Sequence, residues 1–186
     1  REEYLEIGLP HILEALHLMR RYPDYRFVLD QMCYIKPFLD RYPTEAATFR
    51  EMLTRGQLEI AGGTVTMHDN NVPSGESIAR QYLIGKWFFR DRLGYDVKTG
   101  WGLDTFGHNA QMPQILKLAG MDSYWFQRGV PGAHTPAEFL WQGIDGTRMP
   151  AFPNRSRSCP GCWRNCSGRN RCRLMRAWGC PPNMPR

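Results

Sequence analysis

The chain has 186 residues, 42% hydrophobic and 23% charged, an ordinary balance for a soluble globular domain with a core of its own. No apolar run approaches the length of about 18 residues that reads as a membrane-spanning helix, and the opening REEYLEIG is charged and amphipathic rather than signal-like. The net charge of +6 misleads: Pro153 to Arg186 holds eight Arg and no Lys, Asp or Glu, which leaves −2 for residues 1–152. The basic balance therefore belongs to the tail and says nothing about the body.

Cysteine is as uneven. The body has Cys33 alone, whereas Cys159, Cys162, Cys166, Cys172 and Cys180 all lie in the tail. A body with one cysteine reads as a product of a reducing compartment, so a cytoplasmic location is expected.

In chain order, Leu5, Leu9, Ile12, Leu13, Leu16 and Met19 share one helical face over residues 2–21, and Tyr22-Pro23 stops that helix. YRFVLD (25–30) is short, apolar and bounded by turn residues, as a buried strand is. Residues 32–42 predict a short helix interrupted at Pro37. A further helix is expected from Thr44 as N-cap to Gly56 as C-terminal stop. LEIAGG (58–63) is a second strand, followed by a polar loop. Ser74, with Ser77 as a rival, caps a helix over 75–93 that places Ile78, Tyr82, Leu83, Trp87 and Phe88 along one side and ends at Gly94. VKTGWGLD (97–104) is a third strand. Asn109 is the expected N-cap of a helix through Ala119. SYWFQRG (123–129) is a fourth strand, and 138–152 hold one or two more.

Strand and helix alternate at βαβ spacing, which predicts an α/β domain with a mainly parallel sheet. In such sheets the chemistry gathers at the carboxyl ends of the strands. Asp104, His68-Asp69 and Arg128 each fall just after a predicted strand, as one site on one rim would require. The body is taken as residues 1–152. Residues 153–186 show no apolar periodicity and no acidic residue, and are expected to be disordered. Their Arg/Cys/Pro/Gly/Ser/Trp bias is that of a G·C-rich gene read out of frame. Genuine, such a tail would point to zinc or nucleic acid, although its Cys-x2-Cys is at most half a zinc site.

GWGLDTFGHNAQMP (100–113) raises the central question. Asp104 follows an apolar run, where a carboxylate is costly unless it is paired, hydrogen-bonded or holding a metal. It either caps the next turn through the N–H groups of Phe106 or Gly107, or serves as metal ligand, nucleophile or both. Phe106 offers a flat apolar face of the kind sugars stack on. Gly107 permits close backbone approach, and His108 could ligate metal or bond the Asp104 loop. Arg128 is either a rim salt-bridge partner or the group that balances Asp104's charge. Glu76 and Arg80 form an i, i+4 pair. His11 and His17 lie on the first helix and read as structural.

Taken together, AGGTVTMHDNNVPSGESIARQ, GWGLDTFGHNAQMPQILKLAGMDSYWFQRG and FLWQGIDGTRMPAF resemble the N-terminal catalytic domain of glycoside hydrolase family 38, the α-mannosidases, in its bacterial branch. The resemblance runs from the first residues to about Phe152. It implies a parallel, barrel-like (β/α) fold and zinc-dependent hydrolysis of α-mannosides with retention. It makes Asp104 both nucleophile and zinc ligand, Phe106 a sugar contact, Arg128 the neighbour of the nucleophile and Asp69 a substrate-contact candidate. It also places a His-x-Asp pair of zinc ligands upstream of Arg1, and a further zinc His and the acid/base Asp downstream of Phe152. The chain is thus expected to be a catalytic-domain fragment, truncated at both ends and inactive by itself. Two other readings stand beside it: a metal-dependent carbohydrate deacetylase-like α/β barrel, and a non-catalytic protein with a zinc- or nucleic-acid-binding tail.

Overall fold

The computed structural model describes residues 2–128, 136 and 138–153. Of the tail expected at 153–186, Pro153 is the last residue of a strand and 154–186 lie outside the described residues. The chain divides into two compact units, one of residues 2–29 and 33–60, the other of residues 30–32 and the described residues from Ala61 onward.

The first unit is three helices and a two-stranded parallel sheet. α1 (Glu2–Arg21) buries Leu9, Ile12, Ala15, Leu16 and Met19, the face its periodicity predicts, while His11 and His17 are exposed. α2 (Met32–Arg41) runs unbroken through Pro37, contrary to the interruption expected there. Pro37 lies in the second turn, where its missing N–H frees one carbonyl only, and Ile35, Phe38 and Leu39 bury the face that holds the helix together. α3 (Ala46–Arg55) begins later than its expected Thr44 cap, because Pro43–Glu45 form a 3₁₀ turn first. Its end is as predicted, with Gly56 left-handed at φ 67°. Phe38 and Phe49 meet with ring centroids 6.0 Å apart. Each such buried side chain contributes about 1.5–3 kcal/mol. β1 (Phe27–Leu29) pairs in parallel with β2 (Leu58–Ile60), with Phe27 opposite Leu58 and Leu29 opposite Ile60. The buried Gln57 donates to the Met19 carbonyl at 2.9 Å, which satisfies an orphan acceptor near the end of α1.

The second unit holds α4 (Gly75–Leu93), β3 (Thr99–Gly102), α5 (Met112–Leu118), β4 (Ser123–Phe126), β5 (Phe139–Gln142) and β6 (Arg148–Pro153). Its sheet has the order β3-β4-β6-β5. β3 pairs with β4 and β4 with β6 in parallel, but β5 runs antiparallel to β6. The reversal comes from a tight hairpin in which Gly143 donates to the Thr147 carbonyl at 2.8 Å and Gly146 adopts φ 84°. Mainly parallel pairing is thus as expected. The described strands form two sheets, one of them mixed, and do not by themselves close a barrel.

The face of α4 also differs from expectation. Ile78, Tyr82, Gly85, Phe89 and Leu93 are buried, while Leu83 and Trp87 stand 69% and 60% exposed. The stripe still has helical spacing but is rotated to bring Gly85 inward. A Cβ at position 85 would strike the Gly63 carbonyl oxygen and the Thr64 backbone, so only glycine lets the helix lie this close to the 63–64 segment. Ser74 caps α4 as predicted, its hydroxyl accepting from the Ser77 N–H at 3.2 Å, and Gly94 ends it. Asn109 does not cap α5. Its side-chain oxygen accepts from the Gln111 N–H at 2.8 Å in a turn that precedes the helix.

Two glycine substitutions should therefore diverge. Gly8→Ala, inside α1 with nothing near its Cβ, should raise stability in urea unfolding by about 0.5–1 kcal/mol. Gly85→Ala should lower it by about 1–3 kcal/mol despite alanine's better helix propensity, because the collision is with backbone. Equal effects would mean that α4 is not seated as described.

Candidate active site

Every side chain considered in this section belongs to the second unit. β3 leaves the sheet at Gly102, and the Thr105 hydroxyl donates back to the Gly102 carbonyl at 2.9 Å, closing a turn that presents Asp104 to solvent. The turn is held from the other side by the 64–72 loop: the Asp104 N–H donates to the Met67 thioether at 3.4 Å. Gly107 adopts φ 115°, and a Cβ there would collide with the Asn71 side-chain nitrogen. β4 ends at Phe126, and two residues on Arg128 donates from Nε to Asp104 Oδ1. The guanidinium also lies over the Phe106 ring, 4.9 Å from its centroid.

Asp104, Phe106 and Arg128 are thus brought together. The turn-capping alternative for Asp104 is not what the structure contains, since its carboxylate pairs with Arg128 and makes no bond to the N–H of Phe106 or Gly107. The pair is 64% and 49% exposed, so by itself it adds about 0–1 kcal/mol to stability. A weakly stabilising contact whose guanidinium lies over an exposed aromatic ring is what a binding or catalytic surface can use. Asp69 is placed differently. Its Oδ1 accepts from the N–H groups of Asn71 at 2.7 Å and Val72 at 3.0 Å. These bonds hold its carboxyl below the usual range, Asn71's contributing most. It makes no hydrogen bond to Asp104 or Arg128, and its visible work is shaping the loop.

Below the exposed pair lies a buried polar cluster. His108 Nε2 is 2.7 Å from the Arg128 carbonyl oxygen, which can only accept, so Nε2 carries the proton. Nδ1 is then the acceptor, 3.3 Å from the Tyr124 hydroxyl and 3.4 Å from Asn70 Nδ2. Asn70 Nδ2 also donates to the Tyr124 hydroxyl at 3.1 Å. Both Asn70 and Tyr124 are almost fully buried. A Cβ on Gly102 would collide with the Tyr124 hydroxyl. The His108 ring packs against Phe126, Tyr124 and Trp141, with centroids at 4.7, 5.6 and 6.1 Å. Burial pushes the His108 pKa below its ordinary value of 6.5, opposed by the bond to the Arg128 carbonyl.

Sequence reasoning missed Asn70, Tyr124 and Gln31. Gln31 has φ 61°, the one positive value among the described non-glycine residues. Its Oε1 accepts from the Met67 N–H at 2.8 Å and its Nε2 donates to Asp30 at 3.1 Å, so it braces the loop that touches Asp104. Asp30 is pushed above the usual carboxyl range by burial. His68 packs edge-on to Tyr82 at 5.6 Å with both ring nitrogens buried and unbonded among the described residues. Nothing local in the sequence marks these roles.

The described residues do not by themselves fit a zinc ion. None of their His, Cys, Asp and Glu side chains form a group of three or more able to share a metal. Asp104 offers one donor, and both His108 nitrogens are engaged. A structural zinc site takes four. No described helix is long and apolar enough to cross a membrane.

Residues 2–160 match the family described as "Glycosyl hydrolases family 38 N-terminal domain". The chain is 37% identical over 139 residues to "Alpha-mannosidase" of Saccharomyces cerevisiae, a stretch covering 71% of this chain and 13% of that protein. It is 36% identical over 138 residues to human "Alpha-mannosidase 2C1", covering 73% and 13%. Among solved structures it is similar to an alpha-mannosidase from Enterococcus faecalis V583, with TM-score 0.74, 26% identity, and 83% of this chain and 18% of that one covered. The chain therefore spans about an eighth of the length of these curated relatives.

The two half-buried imidazoles set a pH dependence. His68, like His108, is pushed down by burial, opposed by the nearby Thr66 backbone and Asp69. Unfolded, both would titrate near 6.5. Below that value the unfolded state binds more protons, so stability falls as pH drops through about 6.5 and levels off once the lower folded-state values are passed. The melting temperature should be lower at pH 5 than at pH 7.5, and His68→Phe should remove part of that difference. A difference unchanged in the variant would show that His68 titrates as it does in solution.

Proposed function

Because this chain belongs to glycosyl hydrolase family 38 by a match over residues 2–160, we propose that it carries the nucleophile side of the active site of a retaining α-mannosidase, acting on mannose-containing glycans. The observation that supports this most is the Asp104–Arg128 pair, its guanidinium over the Phe106 ring, at the carboxyl ends of two adjacent parallel strands. In this reading Asp104 Oδ2, the oxygen not held by Arg128, attacks the anomeric carbon of the mannoside. The glycosidic C–O bond breaks as an acid protonates the leaving oxygen, and a covalent mannosyl ester forms on Asp104. Water, deprotonated by the same acid/base residue, then cleaves the ester, and the configuration is retained.

Arg128 fixes the carboxylate's rotamer so that one oxygen stays aimed at the substrate, and Phe106 supplies the apolar surface for the sugar ring. Asp69 acts at one remove, by shaping the loop beside the site, with direct sugar contact a lesser role. Retaining glycosidases hold their two carboxyl groups about 5–5.5 Å apart, and the acid/base partner is assigned to the longer protein rather than to these residues. Zinc, which family members generally use, would take Asp104 as one ligand and its remaining ligands from elsewhere. It would supply charge stabilisation and grip on sugar hydroxyls. The 186 residues alone are accordingly proposed to be inactive, and the single body cysteine favours a cytoplasmic setting.

The test uses a longer protein that includes this domain. A slow fluorinated mannosyl donor should label Asp104, detected by peptide mass spectrometry, and Asp104→Ala should lower kcat at least about 10³-fold. Label on another carboxylate, an inverted product by NMR, or release of acetate instead of mannose would overturn the assignment. Hydrolysis of an aryl α-mannoside by the 186-residue chain itself would overturn the claim that it is inactive.

A further inference from the structure

We propose that His108 is a positioning residue for the Asp104–Arg128 pair, acting through the main chain of Arg128 rather than through either charged group. The assignment of Asp104 as nucleophile gives this role its catalytic meaning, but the role itself stands on geometry. The His108 Nε2–H donates to the Arg128 carbonyl oxygen at 2.7 Å, the shortest bond the ring makes. That carbonyl belongs to the residue whose side chain grips Asp104 Oδ1, two residues beyond the last paired residue of β4. Without the bond, the strand exit has no described anchor at Arg128, and a guanidinium on a freely turning main chain would lose its alignment with the carboxylate.

Two features show that the donor is set in place rather than incidental. The ring plane is fixed on three sides, by Phe126, Tyr124 and Trp141. The ring's other nitrogen faces Asn70 Nδ2 and the Tyr124 hydroxyl, both able to donate. Asn70 is itself held, its main-chain carbonyl accepting from Asn109 Nδ2 at 2.6 Å. These neighbours favour the tautomer that leaves the proton on Nε2, the nitrogen that meets Arg128. The cluster therefore runs from a buried amide, through an imidazole, to the backbone of a residue that is half exposed. His108 follows Gly107, whose φ of 115° and contact with Asn71 set the direction in which the chain enters the cluster.

Packing and hydrogen bonding at this residue can be separated by substitution. His108→Phe keeps a ring among the aromatics but removes the donor. His108→Gln loses the ring but can place an amide N–H near the position of Nε2. In the 186-residue chain labelled with ¹⁵N-arginine, the exchange of the Arg128 Nε–H with water reports its pairing with Asp104, and Asp104→Asn gives the rate expected when the carboxylate is gone. We expect His108→Phe to speed exchange about fivefold, the effect of losing one hydrogen bond of ordinary net strength, and His108→Gln to stay within about twofold of the parent. If His108→Phe does not fold, judged by near-UV circular dichroism, His108→Asn replaces it, since its amide is too short to reach the Arg128 carbonyl. No change in the donor-less variant, or an equal rise in both variants, would overturn the proposal, as would a ¹⁵N-histidine spectrum placing the His108 proton on Nδ1. None of these readouts depends on turnover. Failure of Asp104 to become labelled in the longer enzyme would strike the functional assignment and leave this result standing.

Discussion

A side chain at position 102 would collide with the hydroxyl of Tyr124, and much of the second unit follows from that exclusion. With hydrogen there, Tyr124 can lie flat against the end of β3, its ring stacked at 18° on Phe126 and its hydroxyl turned toward Asn70 and His108. The hydroxyl is buried deeply enough that its pKa is raised, so it stays protonated and remains a donor. Burying a hydroxyl without partners would cost about 1–3 kcal/mol; here Asn70 and His108 supply them. The polar cluster is thus the condition under which an aromatic layer can reach the carboxyl edge of the sheet.

The site is two layers with different physics. The outer pair of Asp104 and Arg128 is wet and contributes little to folding. The inner cluster is buried at Asn70 and Tyr124 and half-buried at His108, and unsatisfied groups at its buried end would be costly. Rigidity therefore comes from below, and the exposed charged pair is presented above. The 64–72 loop joins the two, since Asn70 enters the inner cluster, Met67 receives the Asp104 N–H, and Asp69 tightens the turn between Asn70 and Val72. Gln31, held at a backbone angle that side chains seldom adopt, braces that loop through Met67.

What could be read from the sequence was what depends on neighbours along the chain. Ser74, Gly56 and Gly94 work through bonds to residues a few positions away, and their helix ends are where expected. Thr44 and Asn109 failed as caps because each joined a competing local turn. The buried face of α4 was misjudged because Leu83 and Trp87 are large and apolar, whereas the deciding position, Gly85, carries its information in an absent side chain. Asp104, Phe106 and Arg128 were legible through the family resemblance and their places after strands. Asn70 and Tyr124 were not, because the bond between them spans 54 positions. The barrel-like character was an inference from the resemblance, and the described strands contain an antiparallel hairpin that periodicity cannot orient.

One consequence follows from the double occupation of His108, whose ring fills an aromatic core while one nitrogen reaches the backbone at the site. At most positions a protein can drift through substitutions that trade a little robustness for a little activity, or the reverse, one at a time. A residue serving both at once has no such path, because any replacement that suits the packing must also reproduce the bond. Variation in this domain should therefore accumulate around the His108 cluster rather than through it, and the exposed flank of α4, with Leu83 and Trp87 outward, is far freer to change.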